Sequence, residues 1–92
     1  MQAPHAFTQL AIESLPAGLL GVYGLLNGSH WVYIGAGDIK ECLLDLFKNQ
    51  TPSLTKHAPT LFLIEITNDY GKRLKQLRAE LNPIIGTKKE EK

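Results

Sequence analysis

The dipeptide Asn27-Gly28, set between two apolar runs, constrains this chain more than any other feature. Leu19–Leu26 precedes it, and His30-Trp31-Val32-Tyr33-Ile34 follows as a β-branched and aromatic segment suited to a strand. Asn and Gly both tolerate the positive φ that a type I′ turn needs. The segment therefore predicts an antiparallel hairpin with Asn27 and Gly28 at its tip. Gly21 and Gly24 lie inside the first strand, and Gly35-Ala36-Gly37 is expected to end the second.

Beyond the hairpin, Asp38-Ile39-Lys40-Glu41 fits a capping box, with Asp38 as the cap and Glu41 at the third helical position. Ile39, Cys42, Leu43, Leu46 and Phe47 recur at three and four and give that first helix one buried face. Residues 49–59 carry Thr51, Pro52, Ser53 and Pro59 and read as a connecting loop. Thr60–Thr67 is too apolar to alternate, which predicts a strand buried on both faces. Asn68-Asp69 caps a second helix from about Tyr70 to Leu81, with Tyr70, Leu74, Leu77 and Leu81 as its stripe and Pro83 as its stop. Residues 1–17 read as an N-terminal arm with a short helix over Phe7–Ile12, closed by Leu15-Pro16-Ala17-Gly18. The expected architecture is α+β: a three-stranded antiparallel sheet, the hairpin plus one strand, flanked by helices over residues 18–86. A charged tail follows at 87–92.

Size and composition bear on function by exclusion. At 92 residues and 10.2 kDa the chain has room for one domain. Cys42 is the only cysteine, which rules out an internal disulfide and the usual cysteine-based zinc sites. The longest uncharged stretch, Ser14–Gly37, is interrupted by Asn, Gly, Ser, His and Pro and does not read as a membrane span. Met1–Thr8 has no Lys or Arg ahead of an apolar run, so it does not read as a secretory signal, and a cytoplasmic address is expected. His5, His30 and His57 sit in separate segments with no ligand spacing, and Cys42 reads as an inert buried thiol.

The net charge of +1 points to no partner, but its distribution is uneven. The first 37 residues carry only Glu13, and all ten Lys and Arg lie at or after Lys40. Four of the ten fall between Lys72 and Arg78. Lys72, Lys75 and Arg78 share one side of the second helix, and Arg73 flanks its apolar stripe. With Lys40, they are the candidate contacts to a DNA or RNA backbone through counterion release. A merely solvated helix face is the alternative. Aromatic interleaving is poor, so base stacking is not expected.

Several segments together resemble one family. Gly21-Val22-Tyr23 stands near the start of the first strand and Val32-Tyr33-Ile34-Gly35 ends the second. Gly37-Asp38-Ile39, Leu43-Leu44, Pro59-Thr60 before an apolar strand ending in Glu65, and Leu81-Asn82-Pro83 follow in order. Over residues 18–86 the chain resembles small stand-alone members of the GIY-YIG nuclease superfamily. The resemblance implies metal-dependent phosphodiester hydrolysis. A first-motif tyrosine helps activate water, an arginine on the next helix meets the phosphate, and a glutamate on a later helix holds the divalent ion. Tyr23 and Tyr33 match the two motif tyrosines. The arginine position is occupied by Cys42, with Glu41 beside it, and the basic or histidine position after it by Leu46 or Phe47. Leu74 or Lys75 stands where the glutamate belongs, and Gly86 where an asparagine follows the proline.

Loss of one well-placed electrostatic stabiliser costs roughly 10²–10³ in rate. The expectation is a nuclease-like domain that has lost hydrolysis and serves as a nucleic-acid-binding or assembly module. It needs no cofactor and has no assigned metal ligand; magnesium or manganese enters only if the enzyme is active. One alternative is an active endonuclease that uses Lys40 or Arg73 as the arginine and Glu65 or Glu80 for the metal. Another is a pure protein-interaction module, in which Trp31 and the poorly charged first 37 residues form an apolar patch for a partner or a second copy.

Overall fold

The computed structural model describes residues 4–28, 30–49, 52–81 and 83, with the backbone alone at Ser53. The elements are β1 (His5–Ala6), α1 (Gln9–Glu13), β2 (Leu20–Asn27), β3 (His30–Asp38), α2 (Ile39–Lys48), α3 (Pro52–His57), β4 (Leu61–Ile66) and α4 (Tyr70–Leu81). The α+β class holds, but the sheet has four strands, not three, in the antiparallel order β1-β4-β2-β3. The added strand comes from the arm. His5 and Ala6 pair with Phe62 and Leu61, and the Phe7 N–H donates to the Thr60 carbonyl at 2.9 Å. A two-residue strand carries no periodicity for a sequence to display. Phe7 and Ile12 then enter the core, which ties the arm to the sheet. Gly86 and the tail at 87–92 lie outside the described residues.

The hairpin forms with a different tip. Asn27 pairs with His30 as the last rung, so the turn begins at Gly28, whose φ is +62°. The Asn27 amide donates instead to the His57 carbonyl at 2.9 Å, tying the hairpin to α3. Ser29 lies outside the described residues. Further along, Leu26 faces Trp31 while Leu25 faces Tyr33, which leaves Val32 as the extra residue of a β-bulge. The bulge brings Val32 and Tyr33 to one face of the sheet and sends Trp31 and Ile34 to the other.

Gly35-Ala36-Gly37 does not end β3. These residues continue the ladder opposite Tyr23, Val22 and Gly21, and Asp38 closes it opposite Leu20. Glycine is admitted there because a large neighbour covers it: the Tyr23 ring lies where a Gly35 Cβ would stand. On the other face the Trp31 ring lies against Gly24 in the same way. Asp38 then caps α2 as expected, its Oδ1 accepting from the Glu41 N–H at 3.2 Å.

Helices cover both faces. With α1, α2 and α3 on one side, Ile12, Leu25, Ile39, Leu43, Leu54 and Phe62 pack around Tyr23. On the other side α4 sets Leu77 against Val22 and Ile34, with Trp31, Tyr70, Leu74 and Leu81 around them. The segment 49–59 is not all loop. Pro52 opens α3, where its missing N–H costs nothing, and Leu54 anchors it. Ala58, at a φ of +41°, closes α3 with its N–H shared between the Leu54 and Thr55 carbonyls. Nor is β4 buried on both faces. Phe62 and Ile64 are buried, while Leu61, Leu63 and Glu65 are half-covered, because α4 lies over β2 and β3. Among the described residues no helix is long and apolar enough to cross a membrane.

Two glycine substitutions separate close packing from helix propensity. Gly24→Ala drives a methyl group into the Trp31 ring and is expected to cost about 1–3 kcal/mol. Gly71→Ala in α4 meets nothing and is expected to stabilise by up to about 1 kcal/mol. Denaturant unfolding followed by Trp31 fluorescence checks both; the same sign for the two variants would contradict this packing.

Candidate functional site

Tyr23 of β2 and Tyr33 of β3 are diagonal neighbours, because Tyr23 faces Gly35 and Leu25 faces Tyr33. Their ring centroids are 6.2 Å apart at 34°. Tyr23 is 4% exposed, and its hydroxyl lies over Gly35 with Tyr33 and the Cys42 thiol of α2 nearby. Burial, reinforced by Tyr33 and Cys42, pushes the Tyr23 phenol far above its ordinary range. Burial also raises the Cys42 thiol; the nearby Tyr23 hydroxyl opposes that, and the charges of Asp38, Glu41 and Asp45 add to it. Both groups are neutral at pH 7, and a protonated thiol is a poor nucleophile.

The mouth beside this contact is acidic. Glu41, Cys42 and Asp45 line one pocket, with the two carboxylates one turn apart on α2. No cation is among those lining residues. The metal that the resembled family uses does not fit here. Two carboxylates on one helix are an incomplete ligand set, and among the described residues no group of three or more His, Cys, Asp and Glu is placed to hold an ion.

The residues singled out from the sequence do not converge. Tyr23, Tyr33 and Cys42 belong to the face covered by α2, which also carries the half-buried Lys40. Lys72, Arg73, Lys75 and Arg78 stand on α4, across the sheet. Leu74, at the position matched to the metal-binding glutamate, packs with Val22, Ile34 and Leu77 and so faces away from Tyr23. The substitute pair is also on that side. Strand alternation puts Glu65 opposite Phe62 and Ile64, and Arg73 grips it with two prongs, Nε to Oε2 at 2.7 Å and Nη2 to Oε1 at 3.0 Å. This pair clamps β4 to α4.

The four α4 cations divide into two kinds. Arg73 is committed to Glu65 and touches Gln76 at 3.3 Å. Arg78 donates to the Ile34 carbonyl of β3 from Nη2 at 3.0 Å and Nε at 3.3 Å. Lys72 and Lys75 are exposed, with no hydrogen bond or ion pair to the described residues. One grouping was not visible in the sequence. His30 and His57, distant in the chain, line one pocket with Asn27, Val32 and Lys56 where the hairpin tip meets α3. Only α3, itself unexpected, brings them together. His5 is placed elsewhere, its ring 5.3 Å from that of Phe62.

The clamp has a pH signature. Its hydrogen bond to Arg73 holds the Glu65 carboxyl below the usual range, so near that range the folded state binds fewer protons than the unfolded one. The stabilisation is complete above the unfolded carboxylate value, about pH 4–5, and is lost as pH falls through the lower folded value. Glu65→Gln is therefore expected to be less stable than the parent at pH 7, with the gap shrinking toward pH 3. Urea unfolding at both pH values checks this; a gap independent of pH would contradict the clamp.

Comparison of the chain with protein-family models, with curated proteins and with solved structures returns no match.

Proposed function

We propose that this chain is a GIY-YIG-like domain that holds a nucleic-acid backbone and does not cut it. The observation that carries this reading is the Tyr23 hydroxyl, buried against Cys42 and Tyr33 where a hydrolytic centre would need it open to water. Phosphodiester hydrolysis requires a nucleophile, charge stabilisation on the phosphate oxygens and help for the leaving alkoxide. A neutral buried phenol is a weak base. Cys42 supplies no positive charge, and Glu41 and Asp45 repel a phosphate brought to the mouth. Arg73, a candidate substitute for the missing arginine, is bound to Glu65 on the far side of the sheet.

The likeness to the family is supported by the two motifs lying side by side in one hairpin, with their tyrosines in contact. Binding is supported by α4, which presents Lys72 and Lys75 to solvent on its own face. Two lysine–phosphate contacts release about two counterions, so affinity is modest and falls with salt at a log–log slope of roughly −2 on duplex DNA. Arg73 and Arg78 contribute background potential, since using either as a direct contact means breaking a bond within the fold.

Cleavage and binding are read separately. Plasmid and oligonucleotide substrates incubated with magnesium or manganese are expected to remain intact. Fluorescence anisotropy with a labelled duplex at low salt is expected to show binding that the Lys72→Ala, Lys75→Ala double variant loses. Cutting that Tyr23→Phe abolishes would overturn the non-hydrolytic reading. Binding unaffected by the double variant, or absent at low salt, would overturn the role of α4.

A further inference from the structure

We infer that the pocket where the hairpin tip meets α3 binds a doubly charged phosphate group, free or as a monoester, through Lys56, His30 and His57. The inference is independent of the α4 contact. Val32 and Leu54 pack on the face covered by α1, α2 and α3, while Lys72 and Lys75 stand across the sheet.

One residue ties the site together. Asn27 pairs with His30 as the last rung of the hairpin, and its side-chain amide donates to the His57 carbonyl at 2.9 Å. Both imidazoles therefore start from backbone held to Asn27, one on β3 and the other on α3. Lys56 precedes His57 in the last turn of α3, and the fully buried Val32 gives the pocket its apolar wall.

The charge of this pocket is unbalanced. Its lining holds three side chains that are cationic or become so on protonation, and no carboxylate. The side chains of His30, Lys56 and His57 make no hydrogen bond or ion pair with the described residues, so their donors are open to a ligand. A helix C-terminus ordinarily opposes an anion through its unpaired carbonyls. Here the Leu54 and Thr55 carbonyls share the Ala58 N–H, and the His57 carbonyl takes the Asn27 amide. Three acceptors of that turn are thus already occupied.

The donor set selects the ligand. Like charges gathered without a counter-charge repel, and a dianion relieves that repulsion. A phosphate monoester carries nearly two charges at neutral pH and has three terminal oxygens, one for each donor group. A backbone diester offers a single charge and two such oxygens. A metal ion fits less well. Two imidazoles are an incomplete ligand set, Lys56 repels a cation, and among the described residues no group of three or more His, Cys, Asp and Glu is placed to hold one.

Sulfate, whose charge is constant between about pH 6 and 8, is the probe, followed by amide NMR of the full chain at fixed ionic strength. Shifts are expected to concentrate at His30, Lys56 and His57. His30 from β3 and Lys56 and His57 from α3 are the titratable groups lining the pocket, and histidine changes charge across that interval. Affinity is therefore expected to fall roughly tenfold from about pH 6 to 8, and the His30→Gln, His57→Gln double variant to lose that dependence. Lys56→Ala is expected to weaken binding roughly fivefold at the lower pH. Shifts spread evenly over the surface cations, an affinity indifferent to pH, or one unchanged in the double variant would overturn the inference. Competition in the Lys72→Ala, Lys75→Ala background, where the α4 contact drops out, identifies the source. Inorganic phosphate is expected to displace sulfate, and its failure to do so would overturn the inference. An end-phosphorylated oligonucleotide that also displaces it, where the unphosphorylated one does not, supports a monoester at a nucleic-acid end; displacement by phosphate alone supports a free phosphate compound. Displacement by the unphosphorylated oligonucleotide would mean a diester site and would overturn the inference.

Discussion

The contact of Tyr23 with Gly35 and Cys42 joins the parts of this molecule. The ring covers a glycine on the neighbouring strand, which lets β3 run on to Asp38. Asp38 is at once the last rung of the hairpin and the cap of α2, so the strand's length sets where the helix begins. The helix returns Cys42 to the Tyr23 hydroxyl and sets Ile39 and Leu43 in the core around it. Tyr23 thereby connects strand, glycine and helix.

Electrostatics follow the same division of labour. The face that carries the tyrosines has acidic residues at its mouth, while the cations gather on α4 across the sheet. Half of the α4 cations serve the fold. Arg73 fixes the helix to β4 through Glu65, and Arg78 satisfies the Ile34 carbonyl of β3. Lys72 and Lys75 remain exposed, and the proposed polyanion contact rests on them. A cluster that looks like a binding patch in one dimension is therefore partly scaffolding.

Much of the fold was legible in the sequence where a local signal is strong. The Asp38 cap, the stripe from Tyr70 to Leu81 and the apolar–turn–apolar hairpin each carry their own chemistry, and each formed. The misses have a common cause: they depend on a partner distant in the chain. Gly35 and Gly37 read as a break until the Tyr23 ring is known to lie over Gly35. Asn27 reads as a turn residue until its amide is seen on the His57 carbonyl. β1 is two residues long, and β4 looked doubly buried because composition does not show that α4 covers its neighbours. The candidate site fared likewise. The adjacency of Tyr23 and Tyr33 was legible from the hairpin, but helical periodicity is silent on which sheet face α4 covers. Leu74, matched in sequence to a metal-binding position, consequently faces away from Tyr23.

The central claim is that Tyr23 is a sealed packing residue. The most direct test is alkaline titration of tyrosinate absorbance, taking the parent minus Tyr23→Phe to isolate this one phenol, with circular dichroism recorded alongside. The difference signal is expected to stay flat through the ordinary phenol range, about pH 10, and to rise only as the domain unfolds in alkali. Ionisation of Tyr23 near that range in the intact fold would mean an open, hydrated hydroxyl, and would contradict the account.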